Sequence, residues 1–253
     1  MYRGSKGYSL SRESAQCHRD DFNHSIGYSL VIRDENVIGW ISNPCYHKRK
    51  NTEDQQMSLM IGLKRENYFV FASESRAVSK NGDVISDHQQ KIISFPDKKL
   101  IVGYTGRNTY INGDIKTMIK ETIERSQGYD AVYQLKDMAM RIQKELRPEE
   151  SLDLHVSQCV NGSLFYIVIE CAYECVIEKT ILRPFVLRSG INIDNFSRSF
   201  LSEENVKIDI ETVKGCIKDE IAYTKEKVKK PLIGGKIQCY LLDKTGTIRD
   251  YSE

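Results

Sequence analysis

Four residues in the first half of the chain have types that could together perform nucleophilic chemistry: Ser58, Glu74, Lys91 and Gly106. A serine hydroxyl is a weak nucleophile unless an adjacent base takes its proton, and a free N-terminal amine with a pKa near 8 can be that base. Lys91 would place a positive charge beside the hydroxyl, and Glu74 would hold the lysine ammonium in place. The backbone N–H of Gly106 would stabilise the oxyanion of a tetrahedral intermediate. This set predicts hydrolysis through Ser58, provided that its amine is free.

Hydrophobic spacing predicts the elements that must position these residues. Alternation and turn residues predict short strands before residue 105, at 59–64, 68–72, 83–86, 91–95 and 99–104. The period then changes to that of helices, with one apolar face through 111–123 and a second through 132–146 that Pro148 ends. This first half of the chain therefore predicts strands followed by two helices.

Strands return in the second half, at 152–159, 164–172, 175–179 and 184–187. A third helix is predicted over 210–229, ended by Pro231, and two strands at 236–242 and 247–251 close the chain. The order of strands, helices, strands, helix and strands suits an α+β protein in which two sheets lie between helix layers.

Composition and charge narrow the class of protein. The 37 basic and 35 acidic residues leave a net charge of +2, so neither nucleic acid nor an anionic membrane is expected as a partner. No apolar run approaches the roughly 20 residues needed to cross a bilayer, and no apolar signal segment begins the chain. These features predict a soluble, cytoplasmic protein. A chain of 253 residues with 40% hydrophobic content predicts one main domain.

Seven cysteines, several of them inside apolar runs such as 237–241, predict reduced and buried thiols. Cys171 and Cys175 are four positions apart with no histidine nearby to complete a ligand set, so no metal site is expected. No cofactor is expected either.

Residues 1–56 differ in composition from the rest and hold the single Trp and three of the five His. Within them only 28–41 is expected to be ordered, as a hairpin around 34–36. We therefore predict an N-terminal extension over 1–56 and a main domain over 57–253.

The main domain resembles proteasome β subunits and their bacterial homologues, which belong to the N-terminal-nucleophile (Ntn) hydrolase superfamily. Mature chains of that family begin with Thr, occasionally Ser, and an Asp-Ser-Arg triplet follows sixteen positions later. Here Glu74-Ser75-Arg76 stands at that distance from Ser58. The segment around Lys91 is similar to the strand with the catalytic lysine, and 102–106 to the strand that ends at the oxyanion-hole glycine. A long helix, a Gly-Gly pair and the strand from 236 resemble the end of the family's chains.

The resemblance implies a four-layer αββα sandwich of two antiparallel sheets, the Ntn hydrolase fold, and a proteasome-like peptidase related to the threonine-type endopeptidases. Ser58, Glu74, Arg76, Lys91 and Gly106 would be its catalytic residues, and Ala77 and Tyr104 would line the substrate pocket. The substrate would be a peptide or an unfolded protein. The assembly would be a homo-oligomer, a ring in family members, and the resemblance leaves an ATPase partner open.

Three departures from the family pattern bear on activation. Glu74 replaces the usual Asp, and Lys230 and Ile233 stand where β subunits carry an Asp and a Ser that support the N-terminal amine. Ser58 follows Met57 rather than the glycine at which propeptides cleave themselves. If translation starts at Met57, methionine aminopeptidase would expose Ser58, and residues 1–56 would be an upstream region rather than a prosegment.

Each site residue also has a structural interpretation. Ser58 could simply begin a strand, and Glu74 and Arg76 could form an ion pair that closes the first hairpin, which is compatible with catalysis. Lys91 could be a solvated lysine, Gly106 a turn glycine and Tyr104 a core aromatic residue.

Two alternative functions are open. One is a noncatalytic structural subunit that keeps its extension, and the other is an Ntn amidase for a small molecule.

Overall fold

The structure is a computed structural model, and the residues that it describes form three α-helices and antiparallel sheets. It describes residues 29–33, 36–41, 59–79, 82–111, 113–127, 130–148, 150–173, 175–181, 185–189, 205–227 and 233–253. The expected α+β class is confirmed by these elements.

Sheet I is five-stranded and has the order β13-β12-β11-β8-β7, with every neighbouring pair antiparallel. Its strands are β7 (Ile92–Phe95), β8 (Leu100–Gly106), β11 (Ser151–Val160), β12 (Ser163–Ala172) and β13 (Cys175–Ile181). Because β7 and β8 run antiparallel, the beginning of β7 and the end of β8 lie at the same end of the sheet. Lys91 immediately precedes β7 and Gly106 ends β8, so both belong to that end.

Sheet II is also five-stranded and antiparallel, with the order β14-β3-β4-β15-β16. Its strands are β3 (Met60–Lys64), β4 (Tyr68–Glu74), β14 (Phe185–Ser189), β15 (Ile237–Asp243) and β16 (Ile248–Asp250). In the register of β4 and β15, Glu74 faces Ile237 and Ser73 faces Gln238. The last residues of β4 and the first of β15 are therefore neighbours.

Three two-stranded hairpins complete the strands of the described ranges: β1 (Ser29–Arg33) with β2 (Asn36–Ile41), β5 (Ala77–Val78) with β6 (Val84–Ser86), and β9 (Thr109–Tyr110) with β10 (Gly113–Asp114). The first of them confirms the hairpin expected within 28–41. Its strand β1 lies beside β14, an edge strand of sheet II. The helices are α1 (Ile115–Arg125), α2 (Ala131–Gln143) and α3 (Val206–Lys227).

Strand alternation divides the buried side chains into three hydrophobic clusters. One cluster lies between sheet I and the helices α1 and α2, where Leu100, Val102 and Tyr104 of β8 contribute. A second lies between the two sheets, and a third lies between sheet II and α3. Along β4, Phe69 and Phe71 enter the cluster between the sheets, whereas Tyr68, Val70 and Ala72 enter the cluster with α3. Each sheet therefore buries both of its faces.

The two sheets approach each other closely at Gly103. A Cβ atom at this position would overlap the ring of Phe71 and the sulfur of Met60, both from sheet II. Nearby, the rings of Phe69 and Tyr166 stack across the sheets with centroids 5.1 Å apart. Glycine is therefore required at position 103 to bring the sheets into contact.

Two expectations need correction. The first helix begins at Ile115 rather than 111, because Asp114 caps it by accepting the N–H of Thr117, and Ile111 precedes the cap with 85% of its surface exposed. The expectation of reduced thiols holds for Cys159, Cys171, Cys216 and Cys239 but is wrong for Cys175, which is disulfide-bonded. Cys175 begins β13, an edge strand, and is only partly buried.

None of the helices among the described residues is both long and apolar enough to span a membrane.

Candidate functional site

The site lies where the ends of β4, β7 and β8 meet the segment before β15. Ser58, the predicted nucleophile, lies outside the described residues, as do Met57 and Lys230. Leu59, which follows Ser58, is buried, and its carbonyl accepts a hydrogen bond of 2.8 Å from the hydroxyl of Ser73. The chain is thus held in place directly after the predicted nucleophile.

Glu74 is the centre of the hydrogen-bond network. Its Oε1 accepts the backbone N–H of Leu59 at 3.4 Å and also binds the ammonium of Lys91. Its Oε2 accepts the backbone N–H of Arg76 at 2.6 Å and that of Gly234 at 3.4 Å. The carboxylate is 0% exposed, so these donors replace water as its partners. Glu74 therefore connects Lys91 to the start of β3.

Lys91 and Glu74 form an ion pair in which the lysine side chain is 2% exposed. Burial lowers the pKa of Lys91, and the negative charge of Glu74 opposes that shift. Burial likewise raises the pKa of Glu74, against the charge and hydrogen bond of Lys91 and the backbone N–H groups of Arg76 and Leu59. Burial thus favours the neutral form of each group, whereas the contact between the two groups favours their charged forms.

Arg76 pairs with Asp87. Its Nε and Nη2 donate to the two carboxylate oxygens at 2.6 Å and 3.0 Å, while its backbone N–H serves Glu74. The predicted Glu74–Arg76 contact is thus made by the main chain of Arg76, and the guanidinium has a different partner. The Arg76 hydrogen bond also holds the pKa of Asp87 below its usual value.

The Gly-Gly pair lies directly against this network. A Cβ on Gly234 would come within 2.6 Å of the guanidinium carbon of Arg76, and Gly235 has φ of +80°. Ser75 donates its hydroxyl to the carbonyl of Asp87 at 2.5 Å and accepts the N–H of Lys236 at 2.7 Å. The two glycines therefore let the segment before β15 reach the triplet 74–76.

The backbone around Lys91 is held from both sheets. Within sheet I the carbonyl of Lys91 accepts the N–H of Tyr104 at 3.0 Å, and the Tyr104 hydroxyl donates to the carbonyl of Gln90 at 2.7 Å. From sheet II the side-chain oxygen of Gln238 accepts the N–H groups of Lys91 and Ile92 at 2.9 Å and 3.0 Å. Lys91 is thus fixed at both ends, by its main chain and by its ammonium.

Gly106 has φ of +104°, and a Cβ there would overlap the carbonyl of Ser151. The next residue, Arg107, donates its N–H to that carbonyl at 2.9 Å. Of the two predicted pocket residues, Ala77 is 5% exposed in β5, and Tyr104 is 1% exposed within the cluster between sheet I and the helices. The oxyanion and pocket roles stay predictions.

Sequence reasoning missed two partners, Asp87 and Gln238. The inward-facing positions of β15 are 238, 240 and 242, because Tyr240 and Leu242 pack between the sheets. A glutamine in that alternating series was a detectable signal, since an inward polar side chain needs a buried partner. Asp87 gave no comparable signal, because its pairing with Arg76 depends on the path of the chain between β6 and β7.

No protein-family model and no curated protein matches the chain. Among the described residues, no group of three or more His, Cys, Asp or Glu side chains could hold a metal ion.

Proposed function

We propose that the chain is a proteasome-like Ntn peptidase that hydrolyses peptide bonds with Ser58, once residues 1–57 have been removed. The observation that carries the proposal is the buried contact of Lys91 with Glu74, together with the hydrogen bond from the N–H of Leu59 to the same Glu74 oxygen. Leu59 directly follows Ser58 in the chain, so one carboxylate contacts both Lys91 and the residue next to the predicted nucleophile.

The energetics of the pair support a functional interpretation. Removing two charges from water costs several kcal/mol for each ion, and hydrophobic residues of similar volume often pack as stably. Glu74 and Lys91 are nevertheless almost completely buried. Titratable groups perturbed by burial and by a specific charge partner are most frequent at functional sites. From the sequence, Lys91 could have been a solvated lysine at the start of a strand. Its burial does not agree with that interpretation.

The proposed reaction begins with attack of the Ser58 hydroxyl oxygen on the scissile carbonyl carbon. The hydroxyl proton passes to the free amine of Ser58, and the charge of Lys91 stabilises the developing alkoxide. The backbone N–H of Gly106 would donate to the oxyanion. The amine then gives its proton to the leaving nitrogen, and water releases the acyl group from Ser58 by the reverse sequence.

The arrangement of the clusters supports the finer fold proposal, a four-layer αββα sandwich of the Ntn type. One hydrophobic cluster joins sheet I to α1 and α2, one joins the sheets and one joins sheet II to α3. Family membership, a homo-oligomeric assembly that acts on peptides or unfolded proteins, and a cytoplasmic location belong to the same proposal. These three parts of the proposal follow from the resemblance to the family in the region of Ser58 and Glu74.

A noncatalytic subunit of the same fold is the second candidate, and one observation favours it. The hairpin β1–β2 belongs to the extension 1–56, and its strand β1 lies beside the edge strand β14. An extension that covers a sheet edge contributes to the folded protein. A chain that keeps this extension also keeps Ser58 in a peptide bond, and an amide nitrogen cannot act as the base.

The decisive experiment compares the full chain with a chain that starts at Met57. Mass spectrometry establishes whether Met57 has been removed and Ser58 is the first residue. Both proteins are then treated with a peptide epoxyketone, which needs the hydroxyl and the amine of the same residue, and with a panel of fluorogenic peptides. We expect labelling and cleavage by the short chain only.

Ser58→Ala in the short chain should abolish both signals, whereas the matched control Ser163→Ala, at an exposed position of β12, should keep them. A short chain that carries a free Ser58 and is not labelled contradicts the peptidase proposal and favours the noncatalytic subunit. Labelling without cleavage of any peptide favours the small-molecule amidase.

A further inference from the structure

The side chain of Gln238 makes three hydrogen bonds to one segment of the opposite sheet. Its Oε1 accepts the N–H groups of Lys91 and Ile92 at 2.9 Å and 3.0 Å, and its Nε2 donates to the carbonyl of Gln89 at 2.6 Å. Gln238 belongs to β15 of sheet II, whereas Ile92 begins β7 of sheet I. One amide group therefore joins the two sheets at the end where the candidate site lies.

The position of β7 explains why such a bridge is needed. Among the described strands it is at the edge of sheet I, with one strand neighbour, β8. Lys91 is 2% exposed, and buried backbone N–H groups require a partner other than water. Gln238 provides one acceptor for two successive N–H groups, at the point where a further strand would otherwise pair.

The bridge closes a ring of contacts around the ion pair. Glu74 faces Ile237 in the register of β4 and β15, so Glu74 and Gln238 are carried by two directly hydrogen-bonded strands. The Gln238 amide then binds the main chain of Lys91, whose ammonium binds Glu74. If the contacts of Gln238 are lost, the main chain of Lys91 is no longer tied to the sheet that carries its partner.

We propose that Gln238 is a positioning residue, which sets the placement of the Lys91 ammonium relative to Glu74 by fixing segment 89–92 against sheet II. Its catalytic consequence rests on the proposed function, whereas its effect on the ion pair does not. Gln238 touches neither substrate nor reacting atoms in this role. A small displacement of a catalytic group is expected to lower the rate of the chemical step with little effect on substrate binding.

The test uses Gln238→Leu, which keeps the approximate volume and removes all three bonds, and Gln238→Asn, which keeps the amide and shortens its reach by one methylene. The matched control is Gln143→Leu in α2. The Nε2 of Gln143, like that of Gln238, donates to one backbone carbonyl, which is that of Tyr173. The titration of Lys91 is followed by NMR of the ¹⁵N-labelled ammonium, with assignment through Lys91→Met. The short chain is also assayed for kcat and KM.

We expect both Gln238 variants to shift the Lys91 titration, and to lower kcat on the order of 10- to 100-fold while KM changes less than about threefold. Gln143→Leu should leave the titration, kcat and KM unchanged. An unchanged Lys91 titration in a folded Gln238 variant overturns the proposal; if Gln238→Leu does not fold, Gln238→Asn decides. Because the titration needs no activity, an inactive wild-type chain would contradict only the proposed function.

Discussion

The ammonium of Lys91 binds the Oε1 atom of Glu74, and the two side chains are 2% and 0% exposed. Lys91 precedes the edge strand of sheet I, while Glu74 ends a central strand of sheet II. The pair thus joins the two sheets through charges that have almost no access to water. Such a pair contributes little net stability relative to neutral residues, but it is costly to break from one side.

We therefore predict that a double variant recovers most of its stability but does not recover activity. Lys91→Met or Glu74→Gln alone leaves one group buried without its partner and should lower the free energy of unfolding by about 3–5 kcal/mol. The double variant Lys91→Met/Glu74→Gln contains no buried charge and should recover most of that loss. Urea unfolding measures the stability, and epoxyketone labelling of the short chain measures the reactivity of Ser58.

Labelling should be lost in all three variants, including the stable double variant. If the double variant is still labelled at the wild-type rate, the pair serves only to connect the sheets. The exposed pair Arg125–Glu121 of α1 provides the control, since Arg125→Met should change stability by less than about 1 kcal/mol and leave labelling intact.

A second prediction concerns the Gly-Gly pair. Gly235→Ala places a side chain at φ of +80° and against the hydroxyl of Ser75 and the carbonyl of Asp87. We expect a loss of about 1–3 kcal/mol in the free energy of unfolding, together with slower labelling of Ser58, because the segment that supports Glu74 must move. Thermal and urea unfolding of the short chain measure the loss.

Gly215→Ala in α3 is the matched control. Apart from the helix's own backbone, a Cβ at position 215 meets no atom of the described residues within 4 Å, so alanine there should stabilise the helix by about 0.5–1 kcal/mol. Equal effects of the two substitutions would contradict the interpretation that Gly235 is required by its backbone conformation and its neighbours.

Local patterns predicted the elements well where one periodicity dominated. The strands around Phe71 and Ile169 and the helix through Leu135 were expected close to their observed bounds, because apolar side chains recur there with the period of one buried face. The first helix was expected too early, since Ile111 continues the apolar spacing although Asp114 caps the helix, which begins at Ile115. A cap overrides periodicity because it satisfies free backbone donors.

The candidate site was only partly predictable, for a different reason. Glu74 and Lys91 were identified by residue type and by their match to the family's pattern, and the structure brings them into contact. Gln238 could be detected as an inward polar residue of β15, but its partners, like the pairing of Asp87 with Arg76, depend on where distant segments meet. The ion pair of Arg76 with Asp87 and the bridge from Gln238 to Lys91 required the tertiary arrangement.

A third prediction distinguishes the two interpretations of Tyr104. Its hydroxyl donates to Gln90 and accepts from Gln89, and burial raises its pKa to about 12, so it stays protonated near neutral pH. Tyr104→Phe should lower the free energy of unfolding by about 1 kcal/mol, because it leaves the carbonyl of Gln90 without this donor. If Tyr104 acts only in the core, KM for fluorogenic peptides should not change. A changed preference for the residue before the cleaved bond would instead support the pocket role.

The last prediction concerns acid stability and depends on His155 in β11. This side chain lies between the sheets, its Nδ1 is 2.6 Å from the hydroxyl of Tyr166, and its Nε2 has no hydrogen-bond partner within the part of the chain that the structure describes. Burial lowers the pKa of His155 from 6.5 to about 4. The unfolded chain therefore binds a proton at this residue below about pH 6.5, whereas the folded chain does not until about pH 4.

Since the unfolded state binds more protons in this window, the free energy of unfolding should fall as the pH is lowered, by about 3 kcal/mol in total between pH 6.5 and pH 4. Above pH 6.5 His155 should contribute no pH dependence. His155→Gln, which keeps an acceptor for Tyr166 and cannot be protonated, should remove this part of the slope. The control is His88→Gln, at an exposed position, and this variant should retain the pH dependence due to His155. Urea unfolding at half-unit intervals from pH 7 to pH 4 measures the difference, and equal slopes for wild type and His155→Gln would contradict the assignment.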